Sequence, residues 1–319
     1  MRRGFPGLAG CIIHAGQPPH PEYTNAHEQS SRRVAVVTQL SGEQPRASWG
    51  ARSLSVFVAA YNEVDNLAPT VNTIQRALDG AIADYEIIVV DDGSTDGTRQ
   101  VADALATADA RVRVIHYTTN RGLGYGWLRA IEAATKQSFV FVPGDNTWPH
   151  PSLRDIFSSI GRAEVITSYT TNPEIRVPAR RVLSDVYTTG LNVLFGLKLE
   201  YYHGLTIYPI EFLRSNAITT YGFASMAEAL LRAIHHGLSV VAVPCAIEER
   251  ATGHSKAVSL RSLRSVVGTI GRLFIDLRLR GRRGPHATLA LFGSGRHAAP
   301  IVPTASPVSA PSPSQTPGS

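Results

Sequence analysis

Four acids stand where apolar runs stop. LSVFVAAYNE runs into Glu63, EIIVVDD into Asp91 and Asp92, and FVFVPGD into Asp145. Acids brought together are costly unless something cationic or hydrogen-bonding meets them. Such a cluster suits a divalent ion bridging to phosphates, because Mg²⁺ takes only one or two carboxylates and completes its shell with phosphate oxygens. For Asp91 and Asp92 there is also a plainer reading, in which they cap the helix that follows. Two cations, Arg250 and Lys256, lie far downstream in EERATGHSK. Arginine presents a planar fork and lysine a point charge, so the pair suits phosphate binding; the alternative is a solvated basic loop. Two other patterns carry less. GLGYGW, with Gly122, Gly124 and Gly126, lacks the third glycine of a dinucleotide fingerprint. His235 and His236 precede Gly237 and fit the negative end of a helix better than a metal site.

These residues need elements to position them. Ile87 to Val90 is a short unbroken apolar run of the kind buried on both faces in a parallel sheet. Behind it, Thr95, Asp96 and Thr98 carry helix-start chemistry, and Val101, Ala104 and Leu105 give that helix its apolar stripe. Upstream, the strand from Leu54 is followed by a helix with Leu67, Val71, Ile74 and Leu78 at spacings of four, three and four, closed by Gly80. Downstream come a strand over Arg111–Tyr117, a glycine-rich loop over Asn120–Gly126, a helix over Leu128–Lys136 and a strand over Phe139–Val142. Then follow a strand over Ala163–Tyr169, an amphipathic helix over Ala179–Gly196 and a strand over Ser239–Pro244. The alternation predicts an α/β fold with a mostly parallel sheet and helices on both faces. Its strand-end loops open on one edge, where such sheets bind ligands, so Glu63, Asp91, Asp92 and Asp145 should share a cleft.

Composition sets the frame. The chain has 319 residues, 43% of them hydrophobic, with 27 glycines, as expected of a globular protein with a sizeable core. A net charge of +6 points to anionic partners, whether phosphates, nucleic acid or acidic lipid. Cys11 and Cys245 are isolated from one another and form no metal-thiolate spacing, which implies a reducing compartment, the cytoplasm. Residues 1–53 lack a sustained period and read as disordered, apart from a small apolar patch over Val34–Val37. Residues 54–257 read as the catalytic unit. Residues 258–283 form a basic amphipathic helix that either lies on an anionic membrane surface, making the protein peripheral at the cytoplasmic face, or docks on the domain or a second subunit. Residues 284–319, rich in alanine, proline and serine, read as a disordered tail.

Taken in order, YNE, DDGSTDGT, NRGLG and GD resemble the family 2 glycosyltransferases of GT-A fold, a Rossmann-like α/β architecture. YYHGLTIYP, YGFASMAEALL and the RxxGxSK-like arm with Arg250, Gly253, Ser255 and Lys256 are similar to the branch that uses dolichyl or polyprenyl phosphate. The resemblance implies an inverting transfer of a sugar from a nucleotide-diphosphate donor to a polyprenyl phosphate, with Mg²⁺ or Mn²⁺ and without a nucleic-acid partner. It implies that Tyr61, Asn62, Glu63, Asp91, Asp92 and Asn120 surround the nucleotide and that Asp145, matching the second acid of the DxD motif, holds the metal. On the acceptor side it implies Arg250, Lys256 and Glu228. Pro143 stands where the first DxD acid is usual, and Met226 where an aspartate is usual near Glu228. Rival readings are a family 2 transferase acting on a hydroxyl of a glycan or lipid, a nucleotidyltransferase, and a non-catalytic nucleotide-sugar-binding protein.

Overall fold

In the computed structural model, the structure describes residues 52–216, 218, 224–250 and 268–279. The Val34–Val37 patch, Lys256 and the tail lie outside the described residues. The first element is β1 (Ser53–Ala60), followed by α1 (Leu67–Leu78), β2 (Asp84–Asp91), α2 (Thr98–Ala108), β3 (Val112–His116), α3 (Leu123–Ala133) and β4 (Ser138–Pro143). Next come α4 (His150–Ser158), β5 (Val165–Thr170), α5 (Pro178–Phe195), β6 (Ile207–Pro209), α6 (Ile210–Ser215), α7 (Ser225–His235) and β7 (Val240–Cys245). The strands form a seven-stranded sheet in the order β3-β2-β1-β4-β6-β5-β7. All neighbours run parallel except those of β6, which is antiparallel to both β4 and β5.

The apolar runs become strands because both of their faces are covered. On one face Val56, Val58, Ile87 and Val89 pack with Leu67, Val71 and Ile74 of α1 and with Leu153, Ile156 and Phe157 of α4. On the other, Phe57, Ile88, Val90 and Phe139 meet Trp127, Ala130 and Ile131 of α3 and the apolar side of α7. Each such side chain contributes roughly 1.5–3 kcal/mol on leaving water, so an unpartnered polar residue in these runs would be strongly disfavoured; Ser55, fully buried in β1, donates to Glu86 Oε1 at 2.7 Å.

One expectation shifts and two are narrowed. Helix α3 starts at Leu123 rather than Leu128, so Gly124 and Gly126 lie inside it and not in a loop. A side chain at Gly126 would come within 3.4 Å of Val90 and 3.5 Å of Phe57, so glycine there lets the helix lie against the sheet. The segment 268–279 is helical, ending in a π turn over Ile275–Leu279, and it docks on the domain. Leu273 and Leu277 are buried in the same cluster as Leu191 and Phe195, and Phe274 lies 6.1 Å from Phe195 between ring centroids. Helix α5, in contrast, buries only Leu191 and Phe195. Val182, Val186 and Val193 on it are 62%, 65% and 77% exposed. Among the described residues no helix is long and apolar enough to cross a membrane.

Candidate active site

The tips of β1 and β2 are tied together by a ladder of short polar side chains. Asn62 turns the chain with a positive φ of 56°. Its N–H donates to Ser94 Oγ at 3.0 Å, and its Oδ1 accepts from the Thr95 N–H at 2.9 Å. The Glu63 N–H donates to Thr98 Oγ1 at 2.8 Å, while Asp96 Oδ1 accepts from both the N–H and the hydroxyl of Thr98 at the start of α2. Tyr61, half-buried, leads into this turn.

Asp91 and Asp92 divide their labour. Asp91 is 1% exposed; it accepts from the Ser94 N–H at 3.0 Å, and its other oxygen lies 3.0 Å from His116 Nδ1. The strand register sets Asp91 beside His116, whose Nε2 lies 2.8 Å from Asp103. Burial opposes ionisation of Asp91, but the hydrogen bonds from Ser94 and His116 outweigh it and hold the carboxyl below the usual aspartate range. The two oxygens of Asp92 accept from the N–H groups of Arg121 at 2.7 Å and Gly122 at 2.8 Å, fastening the NRG loop to the strand tip. Gly93 is required at that junction: its φ is +75°, and a Cβ would lie 2.6 Å from the Thr119 carbonyl carbon. Asn120 sits exposed on the loop so held.

Asp145 stands one residue beyond a second close approach. The Gly144 N–H donates to the Ala59 carbonyl at 3.0 Å, and a Cβ on Gly144 would lie 2.6 Å from that oxygen. Asn146 follows with a φ of 53°; among the described residues only Asn62 shares that left-handed backbone without being glycine. Asp145 Oδ1 accepts from the Thr147 hydroxyl at 2.8 Å. The Thr147 carbonyl accepts from the Glu248 N–H at 2.9 Å, and Asn172 grips Ile247 through both its N–H and its carbonyl. The arm leading to Arg250 is thereby pinned to the Asp145 loop. Arg250 Nη2 pairs with Glu63 Oε1 and lies 3.7 Å from Asp145 Oδ2. Burial raises the Glu63 carboxyl above its ordinary value; hydrogen bonds from Asn66 and Arg250 pull it down, and the nearby Asp145 charge adds to the rise.

Among the described residues no group of three or more His, Cys, Asp and Glu side chains converges into a metal cage. The donor set nevertheless fits a hard cation completed by phosphate and water, because Asp145 is 25% exposed and its Oδ2 faces a cationic position shared with Glu63. Pro143 adds no donor.

Of the candidates, then, Glu63, Asp145 and Arg250 meet directly, and Asn62, Asp91 and Asp92 build the frame around them. Glu228 is placed differently: it lies on α7, 1% exposed, with Oε1 paired to Arg232 at 2.8 Å.

Residues 55–214 match the family described as Glycosyl transferase family 2. The chain belongs to that family. It is a glycosyltransferase, and the fold is GT-A. The transferase is 31% identical over 259 residues to the polyprenol monophosphomannose synthase of Mycolicibacterium smegmatis, covering 77% of this chain and 96% of the relative. It is 25% identical over 211 residues to the undecaprenyl-phosphate mannosyltransferase of Micrococcus luteus, covering 63% of this chain and 85% of that one. In fold it is similar to the crystal structure of glucosyl-3-phosphoglycerate synthase from Mycobacterium tuberculosis in complex with Mn²⁺, UDP-glucose and phosphoglyceric acid. There the TM-score is 0.55 at 22% identity, over 70% of this chain and 80% of that one.

Several working residues of this transferase escaped the sequence reading. Ser94 and His116 bind the strand tips together alongside Thr98, which the sequence marks only as a helix cap. His116 had one available signal, its place opposite Asp91 at the end of a parallel strand pair.

Proposed function

We propose that this family 2 transferase moves a hexose from a nucleotide-diphosphate sugar to a polyprenyl phosphate with inversion at the anomeric carbon. The sugar is mannose, as in the names of its relatives. The observation that carries the reading is the position of Arg250, which brings an anion-binding fork to Asp145 instead of leaving it on a solvated loop. Asp145, with Glu63 beside it, would hold Mg²⁺ or Mn²⁺ on the donor diphosphate, where the ion neutralises the leaving group. Asn62, Asp92 and the loop carrying Asn120 shape the nucleotide side, and Lys256 joins Arg250 on the acceptor side. A phosphate monoester, with a second pKa near 6, is already an anionic nucleophile at neutral pH and has only to be held in line. A hydroxyl acceptor would need a placed base. Glu228, the candidate for that task, is instead committed to Arg232, which favours the phosphate.

The acceptor's tail requires a lipid surface close to the cleft. Helix α5 supplies an apolar face for it, with Arg180 and Arg181 at its start and Lys198 just past its end to meet anionic headgroups. The helix also follows the stretch of chain in which Asn172 grips the acceptor arm. The protein then works at the cytoplasmic face of a membrane. The test is a matrix of labelled nucleotide sugars against a short polyprenyl phosphate with Mn²⁺, the product being extracted into organic solvent. Labelled lipid phosphate is expected; transfer confined to hydroxyl acceptors would overturn the reading.

A further inference from the structure

The site carries a cation of its own. Glu63 and Asp145 are only 12% and 25% exposed, and the guanidinium of Arg250, 21% exposed, lies against both. Two carboxylates so close to each other repel, and a positive group between them supplies the charge that a metal would otherwise bring. The oxygens of Asp145 are not equivalent. Oδ1 accepts from the Thr147 hydroxyl, which leaves Oδ2, the one facing Arg250, as the natural metal donor. Guanidinium and divalent ion therefore compete for one oxygen and, as like charges, exclude one another.

We propose that Arg250 is a resident counter-cation that gates the metal site: it neutralises Glu63 and Asp145 while the site is empty of donor, and it is released to the acceptor phosphate only when metal and diphosphate have taken its place. The inference rests on the metal reading of Asp145 given above. Its geometric basis is the anchoring of the arm. The Glu248 N–H is held by the Thr147 carbonyl at 2.9 Å and the Ile247 N–H by Asn172 at 2.9 Å, so the backbone near Arg250 stays beside the metal loop whichever partner the side chain chooses. A fork displaced from Asp145 swings about that anchor and remains within the site. There it meets phosphate oxygens, for which its planar geometry is suited. Two consequences follow. Affinity for the metal alone is held down by Arg250, and the acceptor phosphate finds its arginine free only after the donor has bound. The gate thus orders the two substrates and leaves no unpaired carboxylates in the waiting enzyme.

The experiment measures Mn²⁺ alone by electron paramagnetic resonance, with neither sugar nucleotide nor acceptor present, on the full chain and three variants. Arg250→Gln should bind Mn²⁺ about tenfold more tightly than wild type, the scale of removing one competing charge. Arg250→Lys keeps the competing charge, though not the fork, and should stay within about twofold of wild type. Asp145→Asn should lose the binding. A purely structural latch would leave Mn²⁺ affinity unmoved in Arg250→Gln. If that variant binds no more tightly than wild type while Asp145→Asn still abolishes binding, the gate is wrong and the metal reading stands. If Asp145→Asn binds Mn²⁺ as well as wild type does, the metal reading fails and the gate fails with it.

Discussion

At the tip of β4, one oxygen of Asp145 is committed to Thr147 and the other faces Arg250. Asp145→Asn keeps the shape and removes the charge, so turnover should fall on the order of 10²-fold or more, the scale of losing one preorganised electrostatic contact. Thermal stability should change little, and steady-state kinetics beside a melting curve check both. Arg250→Ala should raise the acceptor KM or depress turnover strongly, whereas Glu228→Gln should cost much less turnover; the reverse pattern would point to a hydroxyl acceptor. Asp91 makes a prediction about pH. Its folded carboxyl lies below the ordinary value, so its contribution to stability is complete above about pH 4 and is lost as pH falls through the lower folded value. Urea midpoints of wild type and Asp91→Asn should therefore converge as pH drops from 7 toward 2, and a constant gap would refute the assignment. The acids themselves were legible from the apolar runs they terminate. The partner of Glu63 was not, because Arg250 lies 187 residues away and only the folded arm brings it back.

Among the elements, strands were the easiest to read, since a run buried on both faces can hardly be written in any other way. Helix α3 was harder: glycine argues locally for a loop, and only the closeness of Val90 and Phe57 explains why Gly126 is helical. The junction at Gly144 makes the same point. Its φ is unremarkable, but a methyl group would lie 2.6 Å from a backbone carbonyl, which cannot rotate away. Gly144→Ala should thus destabilise the protein by roughly 1–3 kcal/mol and shift Asp145, so that turnover falls by more than the stability loss explains. Chemical denaturation and kinetics on the same preparation separate the two effects. For α5, replacing Val182, Val186 and Val193 together by Glu should abolish flotation with anionic vesicles without unfolding the chain, because these side chains are already in water. Wild-type flotation should weaken in high salt. Equal flotation of variant and wild type would remove α5 from the membrane. Sequence periodicity marked 258–283 as a basic amphipathic helix and left membrane or domain as its cover; the burial of Leu273 and Leu277 with Leu191 and Phe195 assigns the described part, 268–279, to the domain.

Across the whole molecule the sheet falls into two parallel stretches, β3-β2-β1-β4 and β5-β7. The first carries Asn62, Asp91, Asp92 and Asp145 at its tips, and the second leads into the Arg250 arm. They are joined through β6, a strand of three residues that pairs with β4 over three positions and with β5 at the single pair Ile166–Ile207. So narrow a seam has an evolutionary meaning. On the proposed assignment, the donor half and the acceptor half share few backbone hydrogen bonds, so sequence change in the acceptor half need not disturb the strand register of the donor half. Diversification of what such a fold glycosylates should be written mainly on the β7 side of that strand, and a chimera crossed between α4 and β5 should inherit its donor from one parent and its acceptor from the other.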